Sequence, residues 1–224
     1  MPKPLRVAVL ISGRGSNLQA LIAAQREGRL PIEIALVASN KVAAQGLRHA
    51  EAAGIPTLAL DPRSIPDRAS YDAELFRRIT AYAPDLLVLA GFMRVLDGTV
   101  LAPWAGRIIN IHPSLLPKYP GLHTHQRAIE AGDHLHGASV HFVTAELDGG
   151  PLLACCEIAI QPGDDPDSLA ARLLPQEHAL LCHCVQWIAE GRVELRDDGV
   201  YFDGLPLEHP LRVAAWGSEP VGCP

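Results

Sequence analysis

The sequence predicts an α/β protein, a single domain built on an open, mainly parallel sheet with helices on both faces. Three observations carry that expectation. Short apolar, β-branched runs alternate with segments of helical period through the first half of the chain, which is the grammar of βαβ units. A Gly-rich loop joins the first run directly to the first helical segment. Finally, 224 residues that are 48% hydrophobic hide roughly 70% of the unfolded surface on folding, enough for a core without staples.

The strands read in order as Leu5–Ile11, Ile32–Ser39, Thr57–Leu60, Leu86–Ala90 and Arg107–His112. Between them, Leu18, Leu21 and Ile22 share one helical face before Gly28, and a second helix runs from Ala43 to Ala53 and ends at Gly54. Leu75, Phe76, Ile79 and Tyr82 share the face of a third before Pro84. The grammar changes after His112. A loop punctuated by Pro113, Pro117, Pro120 and Gly121 leads to a short helix near Gln126–Ala131 and to strands at Ala138–Val143 and Leu152–Ile160. Asp167 to Glu190 has helical period, and Pro175 is expected to kink or divide it, because proline removes an interior hydrogen bond and clashes with the preceding turn. A hairpin about Asp198-Gly199 follows, and the Pro- and Gly-punctuated tail is expected to fray. No repeat or low-complexity tract interrupts the order. Residues 1–192 read as the body of the domain and 193–224 as a hairpin and tail attached to it.

Lys+Arg 19 against Asp+Glu 25 leaves a net charge of −6. Wrapping a nucleic-acid backbone takes a basic face, so the balance argues against nucleic acid as a partner, whereas small anions need only a local pocket. Five Cys, at positions 155, 156, 182, 184 and 223, form no evenly spaced framework, which reads as a reduced, intracellular chain. The apolar run from Val7 to Ile11 is too short for a signal segment, and nothing approaches the roughly 18 residues of a membrane span. The expected location is cytoplasmic, with no membrane partner.

Three constellations are suited to chemistry. In Ser12-Gly13-Arg14-Gly15-Ser16-Asn17, glycines let the backbone approach an anion, and the N–H groups at the helix start favour a phosphate, with Gly15, Ser16 and Asn17 as its cradle. The loop lacks the Gly-Lys-Ser/Thr of a Walker loop and the third Gly of a dinucleotide fingerprint, where Leu18 stands. Its structural alternative is a tight turn with Ser16 or Asn17 as helix cap. The second, Asn110-Ile111-His112-Pro113-Ser114, sits at the carboxyl end of a strand, the ligand-binding edge of open α/β sheets. Period-two alternation puts Asn110 and His112 on one side. An amide that donates to a developing oxyanion beside an imidazole that moves protons suits acyl chemistry; the alternative is a buried pair tying down a Pro-rich loop. In the third, Thr144-Ala145-Glu146-Leu147-Asp148-Gly149-Gly150, Asp148 either reaches His112 and favours its imidazolium or merely reverses the chain.

Six of the ten His lie between positions 112 and 141, with two H-x-H pairs, His123/His125 and His134/His136. No H-E-x-x-H or paired C-x-x-C accompanies them, so no metal is expected. Cys155 and Cys156 face opposite ways within a strand, and both read as inert.

With these motifs in order, the chain resembles the phosphoribosylglycinamide formyltransferase family, folate-dependent enzymes of de novo purine synthesis, from about Arg6 to about Arg192. The stretches Leu89 to Leu96, Ile109 to Thr124 and Ser139 to Pro151 make the resemblance specific. It implies a Rossmann-like formyltransferase fold, with residues 1–192 as the catalytic domain, and transfer of the formyl group of 10-formyltetrahydrofolate, a co-substrate, to the amine of phosphoribosylglycinamide. Asn110, His112 and Asp148 would be catalytic. Gly15, Ser16 and Asn17 would hold the substrate phosphate and Glu177 its ribose or glycinamide part. A folate groove would draw on Arg68, Met93, Arg94, Val95, Leu96, Asn110, Thr144, Ala145, Glu146, Leu147 and Asp148, with His123 and Ser139 lining the site. No metal is implied, and the protein would work as a monomer or homodimer. Leu174-Pro175 and Leu181-Cys182 depart from the family pattern on the helix edge, where altered affinity is expected before altered chemistry.

The rival within the fold is formyltetrahydrofolate hydrolase, which passes the formyl group to water and typically adds an N-terminal domain, for which a first strand at Leu5 leaves no room. Methionyl-tRNA formyltransferase would need a C-terminal RNA-binding domain and a basic surface. From other classes, a silent phosphate binder is disfavoured by the intact Asn-x-His with Asp148, and an NAD-dependent enzyme by the incomplete glycine fingerprint.

Overall fold

Val7 to Ile11 are wholly buried apolar residues, and β1 (Leu5–Ile11) forms at the expected bounds, as does β2 (Ile32–Ser39). The computed structural model describes residues 3–213, which divide into two compact units, one up to Asn110 and one from Ile111. In the first, β3 (Thr57–Ala59), β4 (Leu86–Leu89) and β5 (Ile108–His112) join β1 and β2 in the order β3-β2-β1-β4-β5, every pairing parallel. Leu10 stands opposite Leu89, and Leu89 opposite Asn110. The loop after β1 and the segment after β4 therefore leave the sheet at the edge where β5 carries Asn110. Consecutive parallel strands require crossovers, which α1 (Ser16–Arg26), α2 (Gln45–Ala52) and α3 (Arg68–Thr80) supply. Asp67 caps α3 by accepting from the Ser70 N–H at 2.9 Å. A short α4 (Gly98–Leu101) and a 3₁₀ turn over Ala102–Trp104, neither anticipated, lead into β5.

The second unit contains α5 (Thr124–Glu130), β6 (Leu135–Phe142), β7 (Leu152–Ala159) and α6 (Pro166–Ala189). β6 and β7 are antiparallel, with Leu135 opposite Ala159 and His141 opposite Leu152. β6 starts three residues before its expected bound, because pairing with β7 carries the strand through His136-Gly137. α6 packs on both strands and is continuous, so of the expected kink or division at Pro175 the division does not occur. An interior proline costs about 3 kcal/mol, but Leu169, Leu173, Leu180, Leu181 and Val185 are fully buried at roughly 1.5–3 kcal/mol each, and Pro175 itself lies exposed. Asp165 and Ser168 form a capping box at its start, with Pro166 at the first helical position. The expected hairpin is β8 (Val193–Arg196) against β9 (Gly199–Phe202), turning at Asp197-Asp198, with β10 (Leu205–Pro206) on its edge. β11 (Leu211–Arg212) then pairs parallel with β7, a two-residue strand with no sequence signature. The tail expected to fray, 214–224, and Cys223 lie outside the described residues. Among the described residues no helix is long and apolar enough to cross a membrane.

Candidate active site

The loop after β1 is fastened by Ser12, a buried residue on which three segments converge. Its N–H donates to Gly91 O at 3.0 Å, its hydroxyl donates to Asn40 Oδ1 at 2.5 Å, and the same oxygen accepts from the Met93 N–H at 2.8 Å. Gly15 is the cap residue of α1, at a left-handed φ of 76°, and no side chain caps the turn. Ser16 and Asn17 are thus the first residues of the helix, not its caps. A Cβ on Gly15 would stand 2.8 Å from Gly46 Cα, and the Gly46 N–H donates to Gly13 O at 3.0 Å. Gly46, missed in the sequence, lets α2 close on this loop. A helix start with no side-chain cap presents backbone N–H groups suited to an anion.

After β4, Met93 and Val95 are exposed and Leu96 is buried, so Leu96 offers its surroundings backbone more than side chain. Arg94 turns inward: its Nε donates to Asp72 Oδ1 at 2.7 Å and its guanidinium stacks 4.2 Å over the Tyr71 ring. The other Asp72 oxygen accepts from the Asp97 N–H at 3.0 Å, while Arg68 Nε lies 3.8 Å away with half its side chain exposed. Burial pushes the Tyr71 hydroxyl up to about 12, and it donates to Leu60 O at 2.8 Å. Asp72 is fully buried and fixes the segment from Arg94 to Asp97 onto α3. Its signal was legible: a carboxylate stood on the apolar helix face with Leu75, Phe76 and Ile79.

Asn110 and His112 occupy β5 two residues apart, Asn110 half-buried and His112 buried. His112 meets Asp148 as the third motif allowed, with Nδ1 3.5 Å from Asp148 Oδ2. Its Nε2 lies 2.9 Å from Tyr119 O; a carbonyl only accepts, so Nε2 carries a proton. Asp148 takes a left-handed φ of 51°, a conformation that Asp tolerates better than most residues. Its Oδ2 also accepts from the Gly121 N–H at 2.8 Å, and His141 Nε2 stands 3.8 Å from Oδ1. Burial holds His141 below the usual imidazole range. Gly150 explains the second glycine of the turn, because a Cβ there would sit 1.8 Å from Phe142 O. Thr144, Ala145, Glu146 and Leu147 are exposed on the same turn. Ser139, on β6, pins the Pro-rich loop by donating to Ser114 O at 2.8 Å and accepting from the Leu116 N–H at 3.1 Å. His123 is exposed and stands at the start of α5.

Glu177 lies buried on α6, which packs on β7, and its charge adds to the burial that pushes the Cys156 thiol up to about 12. Burial likewise raises Cys184, so both remain thiols and poor nucleophiles. Among the described residues no group of three or more His, Cys, Asp or Glu is placed to hold a metal ion.

The H-x-H pairs resolve into one contact. His136 Nε2 and His125 Nδ1 are 2.9 Å apart, with the rings edge to face. Burial lowers both, and together with the His125 charge it brings His136 down to about 4. The pair is neutral when folded, whereas an unfolded imidazole takes its proton near pH 6.5. The unfolded chain therefore binds more protons between these values, and stability falls as pH drops from about 6.5 toward about 4. The urea midpoint is expected to fall across that window, and His125→Gln to reduce the fall.

The sequence pattern of the formyl transferase family matches residues 5–185. The phosphoribosylglycinamide formyltransferase of Escherichia coli (strain K12) is 48% identical over 203 residues, covering 91% of this chain and 96% of that one. Among solved structures, the phosphoribosylglycinamide formyltransferase of Coxiella burnetii is similar with a TM-score of 0.88 at 46% identity, covering 91% of this chain and 96% of that one. A formyltetrahydrofolate deformylase from Pseudomonas putida KT2440 is similar at a TM-score of 0.79 and 28% identity, over 90% of this chain and 71% of that one.

Proposed function

This chain belongs to the formyl transferase family, and from that premise we propose that it transfers the formyl group of 10-formyltetrahydrofolate to the amine of phosphoribosylglycinamide in purine biosynthesis. The observation that carries the reading is the His112–Asp148 contact at 3.5 Å on a strand that also bears Asn110. With Nε2 held by Tyr119 O, Nδ1 is the ring nitrogen left for chemistry. The amine nitrogen bonds to the formyl carbon, and the carbonyl oxygen becomes an oxyanion. Asn110 donates from its amide and His112 from Nδ1–H, each positioned donor contributing on the order of 3 kcal/mol. Asp148, 3.5 Å from Nδ1, sets a carboxylate against the positive charge that the ring carries beside the oxyanion. As the bond from carbon to the folate nitrogen breaks, the proton shed by the amine passes to that nitrogen, with His112 and Asp148 organising its path. The formyl donor is consumed once per turnover.

Gly15, Ser16 and Asn17 take the phosphate and Glu177 the ribose or glycinamide part. Arg68 supplies a cation for the glutamate tail of the folate, and Met93 to Leu96 with Thr144 to Leu147 supply apolar surface and backbone groups for its rings. Losing a hydrogen bond to a charged ligand costs about 1.5–3 kcal/mol, so Ser16→Ala or Asn17→Ala is expected to raise the KM for phosphoribosylglycinamide roughly tenfold or more. The KM for the formyl donor should change far less. The proposal as a whole is tested by following formyl donor consumption with and without phosphoribosylglycinamide. Consumption that requires the amine supports it, and formate release without the amine supports the hydrolase reading instead.

A further inference from the structure

The orientation of His112 rests on a backbone carbonyl in an unusual conformation. Tyr119 presents the oxygen that accepts from Nε2 while in the left-handed region, at φ 57°, which a bulky aromatic seldom occupies without outside support. That support converges from one carboxylate and one guanidinium. Asp133 Oδ2 accepts from the Tyr119 hydroxyl at 2.8 Å, and both its oxygens accept from Lys118 Nζ at 2.9 Å. Arg127 donates to Pro120 O at 2.6 Å and lies 5.2 Å over the Tyr119 ring. The residue before the carbonyl, the residue that bears it and the residue after it are thus each tethered. Lys118 is held again through its own carbonyl, which accepts from Ser114 Oγ at 2.6 Å. Asp133 stands just beyond α5, with its N–H donating to Ala128 O at 3.1 Å. The hydrogen bonds from Lys118 and Tyr119 hold its carboxyl below the usual carboxylate range, so it is the charged form that grips the loop.

We propose that Asp133 is a positioning residue for the reaction: through Tyr119 it fixes the ring of His112 with the Nε2 proton on the carbonyl, leaving Nδ1 to face substrate. The hydrogen bond made by one ring nitrogen sets the state of the other, and here that bond depends on a carboxylate that does not itself contact His112. The catalytic consequence rests on the role assigned to His112 above. The tautomer and orientation of the ring do not, and they are measurable without turnover.

The test combines nitrogen–proton correlation spectra of the histidine rings in the ligand-free protein, recorded at alkaline pH where the rings are neutral, with steady-state kinetics. In the parent protein, His112, assigned by loss of its signals in His112→Asn, is expected to show the proton on Nε2. In Asp133→Ala the two tautomers should mix, and kcat should fall about tenfold to a hundredfold, the cost of a small misplacement of a reacting group. The KM values for both substrates should stay within about twofold. Asp133→Asn keeps an oxygen for the Tyr119 hydroxyl but loses the charge that holds Lys118, and should recover part of the loss. Tyr119→Phe, which removes one hydroxyl and leaves the rest of the loop alone, should mix the tautomers in part if Asp133→Ala does not fold. A folded Asp133→Ala with an unmixed His112 signal and parental kcat overturns the proposal, as does a loss of kcat with the tautomer unmoved. Tautomer mixing in a protein that never transfers a formyl group overturns the formyl-transfer reading and upholds the positioning of His112.

Discussion

Replacing Asp148 with Asn is expected to lower kcat by roughly three to four orders of magnitude, in the range seen when an imidazole loses its carboxylate partner. Asn preserves the shape of the side chain and accepts a left-handed φ about as readily as Asp, so the turn at φ 51° should persist. Its amide oxygen can still accept from the Gly121 N–H, which now lies 2.8 Å from Asp148 Oδ2. What it lacks is the charge. His112 Nδ1 at 3.5 Å and His141 Nε2 at 3.8 Å both face that carboxylate, and a neutral amide offers no countercharge beside the ring when the oxyanion forms. Turnover measured beside circular dichroism and thermal unfolding separates the two effects. A near-parental kcat in the folded variant removes Asp148 from the chemistry, and the same comparison applies to His112→Asn.

Asp72→Ala carries the largest expected effect on stability. The carboxylate is fully buried and bonds Arg94 Nε at 2.7 Å and the Asp97 N–H at 3.0 Å. Its removal strands a guanidinium that is only 17% exposed together with a backbone donor. Breaking a buried pair from one side costs about 3–5 kcal/mol, because the remaining charge keeps its desolvation penalty. In a chain of this size each kcal/mol moves Tm by about 2–4 °C, so a fall of roughly 6–20 °C is expected in a thermal scan. The same change loosens the segment from Arg94 to Asp97, and the KM for the formyl donor should rise along with it. A loss below about 1 kcal/mol would mean that Arg94 finds water instead.

Legibility in the sequence followed the range of the interactions. β1 and β2 were readable to the residue because a parallel strand buried on both faces is a continuous apolar run. Pro175 leaves α6 undivided: its local cost is visible in the sequence, while the Leu side chains that outweigh it act only once α6 meets β6 and β7. The two-residue β11 and the short α4 carry too few residues to show a period. At the candidate site, the pairing of Asn110 and His112 was readable because both residues share one strand, and the D-G-G turn because the close approach of Gly150 to Phe142 O leaves a glycine behind. Asp133 and Gly46 were silent. Each acts on a partner that only the fold supplies, Tyr119 in one case and the turn at Gly15 in the other, and neither leaves a spacing that can be read along the chain.

Transfer of a ¹³C-labelled formyl group tests the central claim most directly. Protein incubated with labelled 10-formyltetrahydrofolate and phosphoribosylglycinamide should place the label in the formamide of the product, in step with tetrahydrofolate formation and with no label in formate. Label appearing in formate at a rate indifferent to phosphoribosylglycinamide would contradict it.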